Sequence, residues 1–170
     1  MTTAQTVANI LLSEKAVFLR PEEPFTWTSG IKSPVYCDNR LLISTVNSRK
    51  TIIKAFAELA SQYQVDLIAG TATAGIPWAA WIANELNLPM VYVRSSSKEH
   101  GRQNAIEGAV KPGQKSVLIE DLISTGKSSI AAAEKLREAG VEVKSIPGIF
   151  TYNFLEAQEI FKRNNLLHLS

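Results

Sequence analysis

The chain has 170 residues, of which 45% are apolar and 20% charged, as in an ordinary globular domain with a full hydrophobic core. Its 18 basic and 16 acidic residues give a net charge of +2, too balanced to favour nucleic-acid binding by overall electrostatics. No apolar run approaches the roughly 18 residues of a membrane span, and the N-terminus lacks the features of a signal peptide. We therefore expect a single domain over residues 1–170, with neither nucleic acid nor membrane as a partner.

The chain contains one cysteine, Cys37. A lone cysteine cannot form an internal disulfide, which favours a reducing compartment and hence a cytoplasmic location. No motif around Cys37 offers it a catalytic partner, so we interpret it as a small buried thiol rather than a nucleophile.

Predicted helices and strands alternate along most of the chain. In chain order, the apolar spacing predicts helices at 3–15 and 49–63, a strand at 65–69, a helix at 76–86, strands at 90–93 and 117–119, a helix at 128–139, and strands at 141–146 and 148–152. This alternation predicts an α/β fold with a mostly parallel central sheet and flanking helices. Ligands of such sheets bind beyond the carboxyl ends of the strands, where the loops 70–75, 94–108 and 120–128 are expected.

The most informative motif is Val117–Ser129, which reads VLIEDLISTGKSS. An apolar strand ends in two acids, and hydroxyl residues with a glycine then open a helix, whose free N–H groups attract anions. Two acids would repel a bare phosphate, but they suit a ligand that also carries ribose hydroxyls or a metal ion. A plain helix start with two solvated acids explains the same residues. A nucleoside-triphosphate P-loop is excluded, because Asp121 stands where its first glycine is required.

This segment closely resembles the phosphoribosyl-pyrophosphate (PRPP) signature of type I phosphoribosyltransferases. The resemblance implies that the acids bind the ribose hydroxyls and that the loop after them holds the 5-phosphate. The implied PRPP-binding residues of the segment are Glu120, Asp121, Leu122, Ile123, Ser124, Thr125, Gly126, Lys127 and Ser128. Lys127 departs from the pattern, since relatives usually carry a small residue there.

The second motif is the polar stretch Arg94–Gly108, RSSSKEHGRQNAIEG. Its composition suits either a basic lid that closes over a pyrophosphate or an exposed charged loop. The pattern is similar to the catalytic loop of orotate phosphoribosyltransferases, which reaches across a dimer interface to the neighbouring pyrophosphate site. The resemblance implies a homodimer with shared active sites, in which Arg94, Lys98 and His100 are catalytic and bind PRPP. Ser95 stands where some relatives have a lysine.

The third motif is Phe25–Arg40, FTWTSGIKSPVYCDNR, which resembles the N-terminal stretch of the orotate family. A planar pyrimidine carboxylate suits recognition by backbone donors and a guanidinium. We therefore assign orotate binding to Arg40, with Ser124 as a second candidate; the alternative is a structural arginine that bridges loops. Some relatives carry lysine where Thr28 and Ala74 stand.

Together these motifs cover residues from about 18 to 155. The resemblance implies a type I phosphoribosyltransferase fold with a small N-terminal hood, and transfer of the 5-phosphoribosyl group from PRPP to orotate. Mg²⁺ is the implied cofactor, held mainly by substrate oxygens and water rather than by protein ligands. Two alternatives remain open, a purine-type phosphoribosyltransferase and a non-catalytic regulator that binds PRPP.

Overall fold

The computed structural model describes residues 2–27, 30–95 and 105–169. The chain forms two compact units, Met1–Lys50 and Thr51–Ser170. A separate small N-terminal unit agrees with the sequence-based expectation, whereas the prediction of one folded domain over 1–170 stays a prediction. Among the described residues, no helix has both the length and the apolar character needed to cross a membrane.

The N-terminal unit combines one helix with short antiparallel strand pairs. Its elements are α1 (Thr3–Ser13), β1 (Val17–Leu19), β2 (Phe25–Thr26), β3 (Lys32–Ser33), β4 (Val35–Cys37) and a 3₁₀ helix (Asn39–Ser44). Thr2 and Gln5 form a capping box that satisfies free N–H groups at the start of α1. Strand β1 pairs with β4, and β2 pairs with β3. Cys37 is buried and its thiol donates to Asn39 Oδ1 at 3.2 Å, which confirms the buried thiol.

The C-terminal unit contains the central sheet. Helix α2 (Val46–Ser61) begins before the unit boundary, and the elements after it are β5 (Leu67–Thr71), α3 (Gly75–Leu86), β6 (Met90–Val93), β7 (Ile106–Glu107), β8 (Lys115–Ile123), α4 (Lys127–Glu138), β9 (Glu142–Thr151), α5 (Leu155–Arg163) and β10 (Leu167–Leu169). The strand order is β10-β9-β8-β5-β6-β7, and only β7 is antiparallel to its neighbour. The predicted α/β fold with a mostly parallel sheet is confirmed.

The sheet changes direction at β5. From β5 the chain crosses through α3 to β6 on one side, and it later returns to place β8 on the other side. Successive crossovers that run in opposite directions place their helices on opposite faces, since such connections are right-handed. The crevice between the carboxyl ends of β5 and β8 is thus the topological switch point, where open α/β sheets bind their ligands.

A continuous apolar core holds α4 and α5 against the sheet. Strand residues such as Leu118 and Ile146 are fully buried, and Leu136 of α4 and Phe161 of α5 pack into the same cluster. The central strand β5 is buried along its whole length. Burial of apolar area of this kind provides the main favourable free energy of folding, so the switch point rests on a rigid base.

Several predicted boundaries differ from the structure. Strand β8 continues through Glu120 and Asp121 to Ile123, because β9 pairs with it as far as Thr151. The two strands predicted at 141–146 and 148–152 are one strand, β9, in which Pro147 and Gly148 do not interrupt the ladder. Helix α5 and strand β10 were not predicted; α5 has a strongly amphipathic sequence, but its apolar face is short.

Candidate active site

The two acids of the Val117–Ser129 motif lie on β8 but face different surroundings. Glu120 is only 5% exposed, whereas Asp121 is partly exposed. Alternation of side chains along a strand sends neighbouring residues to opposite faces of the sheet, which explains the difference. The structure thus provides one buried and one more accessible carboxylate at the switch point.

Glu120 is held by hydroxyl groups from two other elements. Thr71, the last residue of β5, donates to Glu120 Oε2 at 2.5 Å, and Ser129 in the first turn of α4 donates to Oε1 at 2.7 Å. Burial raises the pKa of Glu120 to about 7; the hydrogen bonds from Thr71 and Ser129 oppose this shift, and the charge of Asp121 adds to it. The carboxyl therefore titrates near neutral pH.

The loop after β8 ends at an open helix terminus. Gly126 adopts φ +78° immediately before α4, and no side chain among the described residues caps this helix. Ser124 and Thr125 are partly exposed and Ser128 is exposed, so their hydroxyls can reach a ligand. Free N–H groups at the positive end of the helix dipole complete an environment suited to a phosphate.

Two other members of the predicted PRPP-binding set have different surroundings. The side chain of Ile123 is 1% exposed and belongs to the core, so only its main chain could face a ligand. Lys127 is exposed, and its ammonium group pairs with Glu156 of α5 at 2.8 Å. The departure from the family pattern at Lys127 therefore adds a contact between α4 and the start of α5.

The loop between β5 and α3 approaches β8 closely because Gly75 has no side chain. A Cβ at Gly75 would lie 2.6 Å from the carbonyl oxygen of Ile119 and 2.7 Å from Thr71 Oγ1. The Ala72–Thr73 peptide bond of this loop is cis, and Ala74 precedes α3 without capping it by a side chain. Gly75 thus permits the contact between Thr71 and Glu120.

Arg94 lies at the end of β6, where the second motif begins. Its main-chain N–H donates to Ala105 O at 2.8 Å, and its guanidinium pairs with Glu107 at 3.4 Å. Lys135 of α4 donates to the carbonyl oxygens of Arg94 and Ser95, at 2.8 and 3.1 Å. An open cavity of about 140 Å³ is lined by Arg94, Lys135, Glu120 and Ser128, among other residues. Two cations and the buried carboxyl therefore share one cavity.

Arg40 belongs to the N-terminal unit and forms a two-pronged ion pair. Its Nε and Nη2 each donate to an oxygen of Asp38 at 2.7 Å, while the side chain remains 63% exposed. The hydrogen bond from Arg40 holds the pKa of Asp38 below its ordinary value. The fork geometry suits a carboxylate, as the assignment to orotate requires, but the assignment itself stays a prediction.

Lys98 and His100, the other predicted catalytic residues, lie outside the described residues, as does Thr28.

Three residues that contact or line the site were not among the predicted site residues: Thr71, Ser129 and Lys135. Ser129 closes the quoted motif, and Thr71 lies within the loop 70–75. Lys135 follows Ser128 by seven residues, a spacing that places both on one helix face. Among the described residues, no three His, Cys, Asp or Glu side chains form a group that could hold a metal ion.

Comparison with known proteins agrees with this geometry. Residues 43–148 match the model of the phosphoribosyl transferase domain. The chain is 55% identical to the orotate phosphoribosyltransferase of Listeria monocytogenes serotype 4b (strain F2365) over 166 residues, covering 96% of this chain and 79% of that protein. Against the Bacillus subtilis (strain 168) enzyme, identity is 52% over 168 residues, covering 98% and 78%.

A solved structure, the orotate phosphoribosyltransferase from Aeropyrum pernix, is 30% identical with a TM-score of 0.81, covering 95% of this chain and 90% of that one. A sheet with this switch point, an acid pair and an open helix start define a phosphoribosyltransferase, and the chain belongs to that family. Within the family, the resemblance to orotate phosphoribosyltransferases that the motifs indicated is confirmed.

Proposed function

We infer that this chain is an orotate phosphoribosyltransferase. It transfers the 5-phosphoribosyl group of PRPP to orotate, giving orotidine 5'-phosphate and pyrophosphate, a pentosyl transfer of pyrimidine nucleotide synthesis. The observation that carries the inference is the joint position of the acid pair and the uncapped start of α4 at the switch point. The identity of 52–55% to orotate enzymes over nearly the whole chain supports orotate as the base.

Different residues of the C-terminal unit bind the ribose and the 5-phosphate of PRPP in this proposal. Glu120 and Asp121 accept hydrogen bonds from the ribose hydroxyls, while Ser124, Thr125, Ser128 and the N–H groups of α4 bind the 5-phosphate. Displacement at C1' passes through an oxocarbenium-like state, so positioning and charge stabilisation supply most of the rate acceleration. Orotate already carries negative charge, so no strong general base is required.

The remaining parts of the proposal concern the cofactor and the quaternary structure. Mg²⁺ fits a site whose described residues lack a metal-binding cluster, because this ion keeps several waters and binds through substrate phosphates. When bound, it would neutralise charge on the pyrophosphate leaving group. We also propose a homodimer in which the loop that begins at Arg94 brings Lys98 and His100 to the partner's pyrophosphate site, while Arg94 lines the cavity of its own subunit. The lone cysteine supports a cytoplasmic location.

Arg40 and Ser124 are the proposed contacts to orotate. Arg40 carries a guanidinium that already binds a carboxylate, that of Asp38, in the two-pronged geometry. Orotate would compete with Asp38 for this group or use the outer face of the same ion pair. Ser124 is partly exposed at the end of β8, next to the proposed ribose acids.

The proposal is tested by assaying pyrophosphate release from PRPP and Mg²⁺ with orotate, uracil, hypoxanthine or xanthine as the base. We expect turnover with orotate and at least a hundredfold lower kcat/KM with the others, because only orotate carries a carboxylate that the guanidinium of Arg40 can bind. Turnover with hypoxanthine or xanthine would support a purine-type enzyme. PRPP binding without turnover of any base would support a regulator and contradict the proposal.

A further inference from the structure

The Glu120 carboxylate has an environment that the proposed mechanism does not explain. Both of its oxygens accept hydrogen bonds from hydroxyls, Thr71 Oγ1 at 2.5 Å and Ser129 Oγ at 2.7 Å. All three side chains are buried, with exposures of 5%, 7% and 1% for Glu120, Thr71 and Ser129. The triad joins β8, β5 and α4, the three elements that meet at the switch point.

The geometry leaves the carboxylate able to bind a further group. Thr71 Oγ1 also lies 3.3 Å from Ile119 O, but a hydroxyl has one hydrogen, and the shorter distance assigns it to Glu120. Each carboxylate oxygen can accept about two hydrogen bonds, and the two hydroxyls use one on each. Glu120 is also one of the residues that line the open cavity of about 140 Å³.

We propose that Thr71 and Ser129 are positioning residues for sugar recognition, whose hydroxyls fix the Glu120 carboxylate in one orientation and stabilise its charged form. This role rests on the proposed function, since the group received by Glu120 is a ribose hydroxyl of PRPP. A glutamate side chain has three rotatable torsions, and two donors from different elements restrict them before the ligand arrives. Such preorganisation lowers the entropic cost of binding.

Neighbouring charges, burial and the hydroxyls of Thr71 and Ser129 together set the pKa of Glu120. Burial raises the pKa of Glu120, and the neighbouring charge of Asp121 on β8 adds to this shift. Arg94 at the end of β6 and Lys135 of α4 line the same cavity as Glu120. The hydroxyls of Thr71 and Ser129 lower this pKa because they donate to the charged form. Loss of either hydroxyl should therefore raise the pKa of Glu120 above about 7 and leave less carboxylate at neutral pH.

The test uses the variants Thr71→Val and Ser129→Ala, with Thr71→Ser as the conservative rescue. The matched control is Ser116→Ala, which removes a buried hydroxyl of β8 that has no hydrogen-bond partner among the described residues. Two quantities are measured on the full chain without orotate: the dissociation constant of PRPP with Mg²⁺ from pH 5.5 to 8.5, and the Glu120 carboxyl titration by ¹³C NMR, assigned with Glu120→Gln.

We expect each hydroxyl deletion to move the Glu120 titration midpoint upward by about one pH unit, which weakens PRPP binding at pH 7 about fivefold. In steady-state assays KM for PRPP should rise while kcat changes little. Thr71→Ser should restore both the midpoint and the affinity, and Ser116→Ala should leave both unchanged. A merely structural role would lower activity without moving the midpoint.

Two results separate this inference from the proposed function. If the wild-type chain binds PRPP but Thr71→Val and Ser129→Ala match its affinity and midpoint, the positioning role is wrong and the function stands. If the wild-type chain does not bind PRPP, the proposed function fails and the positioning role fails with it. Thr71 and Ser129 approach Glu120 from different elements, so a folding defect in one variant leaves the other as a test.

Discussion

Glu120 and Asp121 are adjacent on β8 but have different surroundings, because side chains alternate between the two faces of the sheet along a strand. Glu120 is buried against Thr71 of β5 and Ser129 of α4, and burial raises its pKa to about 7, while Asp121 remains partly exposed. A ligand can reach a partly exposed carboxylate more easily than a buried one, and carboxylate oxygens accept hydrogen bonds from hydroxyls. We therefore expect Asp121 to contribute more to PRPP affinity than its buried neighbour.

Asp121→Asn should weaken PRPP binding by about 10- to 100-fold while leaving the fold intact, because a hydrogen bond to a charged group contributes about 1.5–3 kcal/mol. Calorimetric titration with PRPP and Mg²⁺ measures the change. Asp66→Asn is the control: this acid lies at the amino end of β5, where it accepts from the main chain of Lys115. Unchanged affinity in Asp121→Asn would contradict the ribose assignment.

Glu120 should make the stability of the chain depend on pH. Its folded pKa of about 7 exceeds the ordinary value of 4.5, so the unfolded state releases the proton first as pH rises. The neutral carboxyl thus stabilises the fold fully below about pH 4.5, and this contribution, up to roughly 3 kcal/mol, is lost as pH rises through 7. The glutamine of Glu120→Gln cannot ionise, so this variant should not lose stability through that ionisation as pH rises.

Urea unfolding of the wild type and of Glu120→Gln at pH 5, 6, 7 and 8 tests this expectation. The unfolding free energy of the variant relative to wild type should increase with pH across this range. Glu58→Gln, at an exposed acid of α2, serves as the control and should show a nearly constant difference. A constant difference for Glu120→Gln as well would show that Glu120 ionises as easily in the folded chain as in the unfolded one.

Arg40→Lys replaces a planar fork with a point charge, so it should harm orotate use more than PRPP use. We expect KM for orotate to rise at least tenfold and KM for PRPP to change less than twofold in steady-state assays. Arg49→Lys is a comparison from the same unit, since Arg49 donates to the carbonyl of Ile43. Equal losses for both substrates in Arg40→Lys would assign Arg40 a structural role.

On the scale of the elements, the start of α4 is in contact with α5. Gly126 has a positive φ and lies against α5, where a Cβ would come within 2.7 Å of the Phe161 ring. The ion pair between Lys127 and Glu156 joins the same two helices. The loop that is proposed to bind the 5-phosphate therefore packs against α5, a helix whose residues lie about 30 positions further along the chain.

Gly126→Ala should destabilise the fold and weaken PRPP binding, because it adds both left-handed strain and a clash with α5. Gly113→Ala is the matched control: Gly113 has φ +87° and nothing within 4 Å of an added Cβ. We expect the control to lose about 1–2 kcal/mol of stability, and Gly126→Ala to lose about 1–3 kcal/mol more. Thermal unfolding measures the stability of the two variants, and titration measures their affinity for PRPP. Equal effects in the two variants would show that the contact between Gly126 and α5 contributes to neither.

On the scale of the whole molecule, the C-terminal unit contains the switch point, whereas Arg40 belongs to the N-terminal unit. The family resemblance assigns the catalytic loop motif to the active site of a partner subunit. A complete site would then combine parts of two chains related by a two-fold axis. In such an arrangement each subunit gives its loop to the other and receives one in return.

Lys98→Ala and Asp121→Asn should complement each other if the loop acts in the neighbouring site. Lys98→Ala alone should lower kcat strongly and PRPP affinity weakly, the pattern of a contact made in the transition state. In a mixed dimer of the two variants, one site carries both defects and the other neither. Activity per heterodimer should thus recover to as much as about half of wild type.

Native mass spectrometry establishes that subunits have exchanged before activity is compared. Each variant incubated alone, at a PRPP concentration well below the KM of Asp121→Asn, is the control and should keep its own reduced activity. Heterodimers that form without recovering activity would show that the loop acts in its own subunit, and the shared active site would be wrong.

The sequence determined the class of fold, and it predicted a phosphate site at the start of α4, because both inferences depend on local patterns. Alternating strand and helix patterns predict a sheet with flanking helices, and a glycine with hydroxyl residues at a helix start favours an anion site. Val117–Ser129 is one continuous segment, so its strand, acids and helix start are all visible in the local sequence. Dependence on local patterns also explains why the length of β8 was underestimated, since pairing with β9 carries the strand through two charged residues.

Only the tertiary structure decided what surrounds the acids. Thr71 is 49 residues from Glu120 along the chain, and Lys135 is 41 residues from Arg94, so no local pattern could connect them. Burial, which raises the pKa of Glu120, and the two hydroxyls, which oppose that shift, exist only once β5, β8 and α4 pack together. Long-range packing, rather than residue identity, thus distinguishes two neighbouring carboxylates that look alike in the sequence.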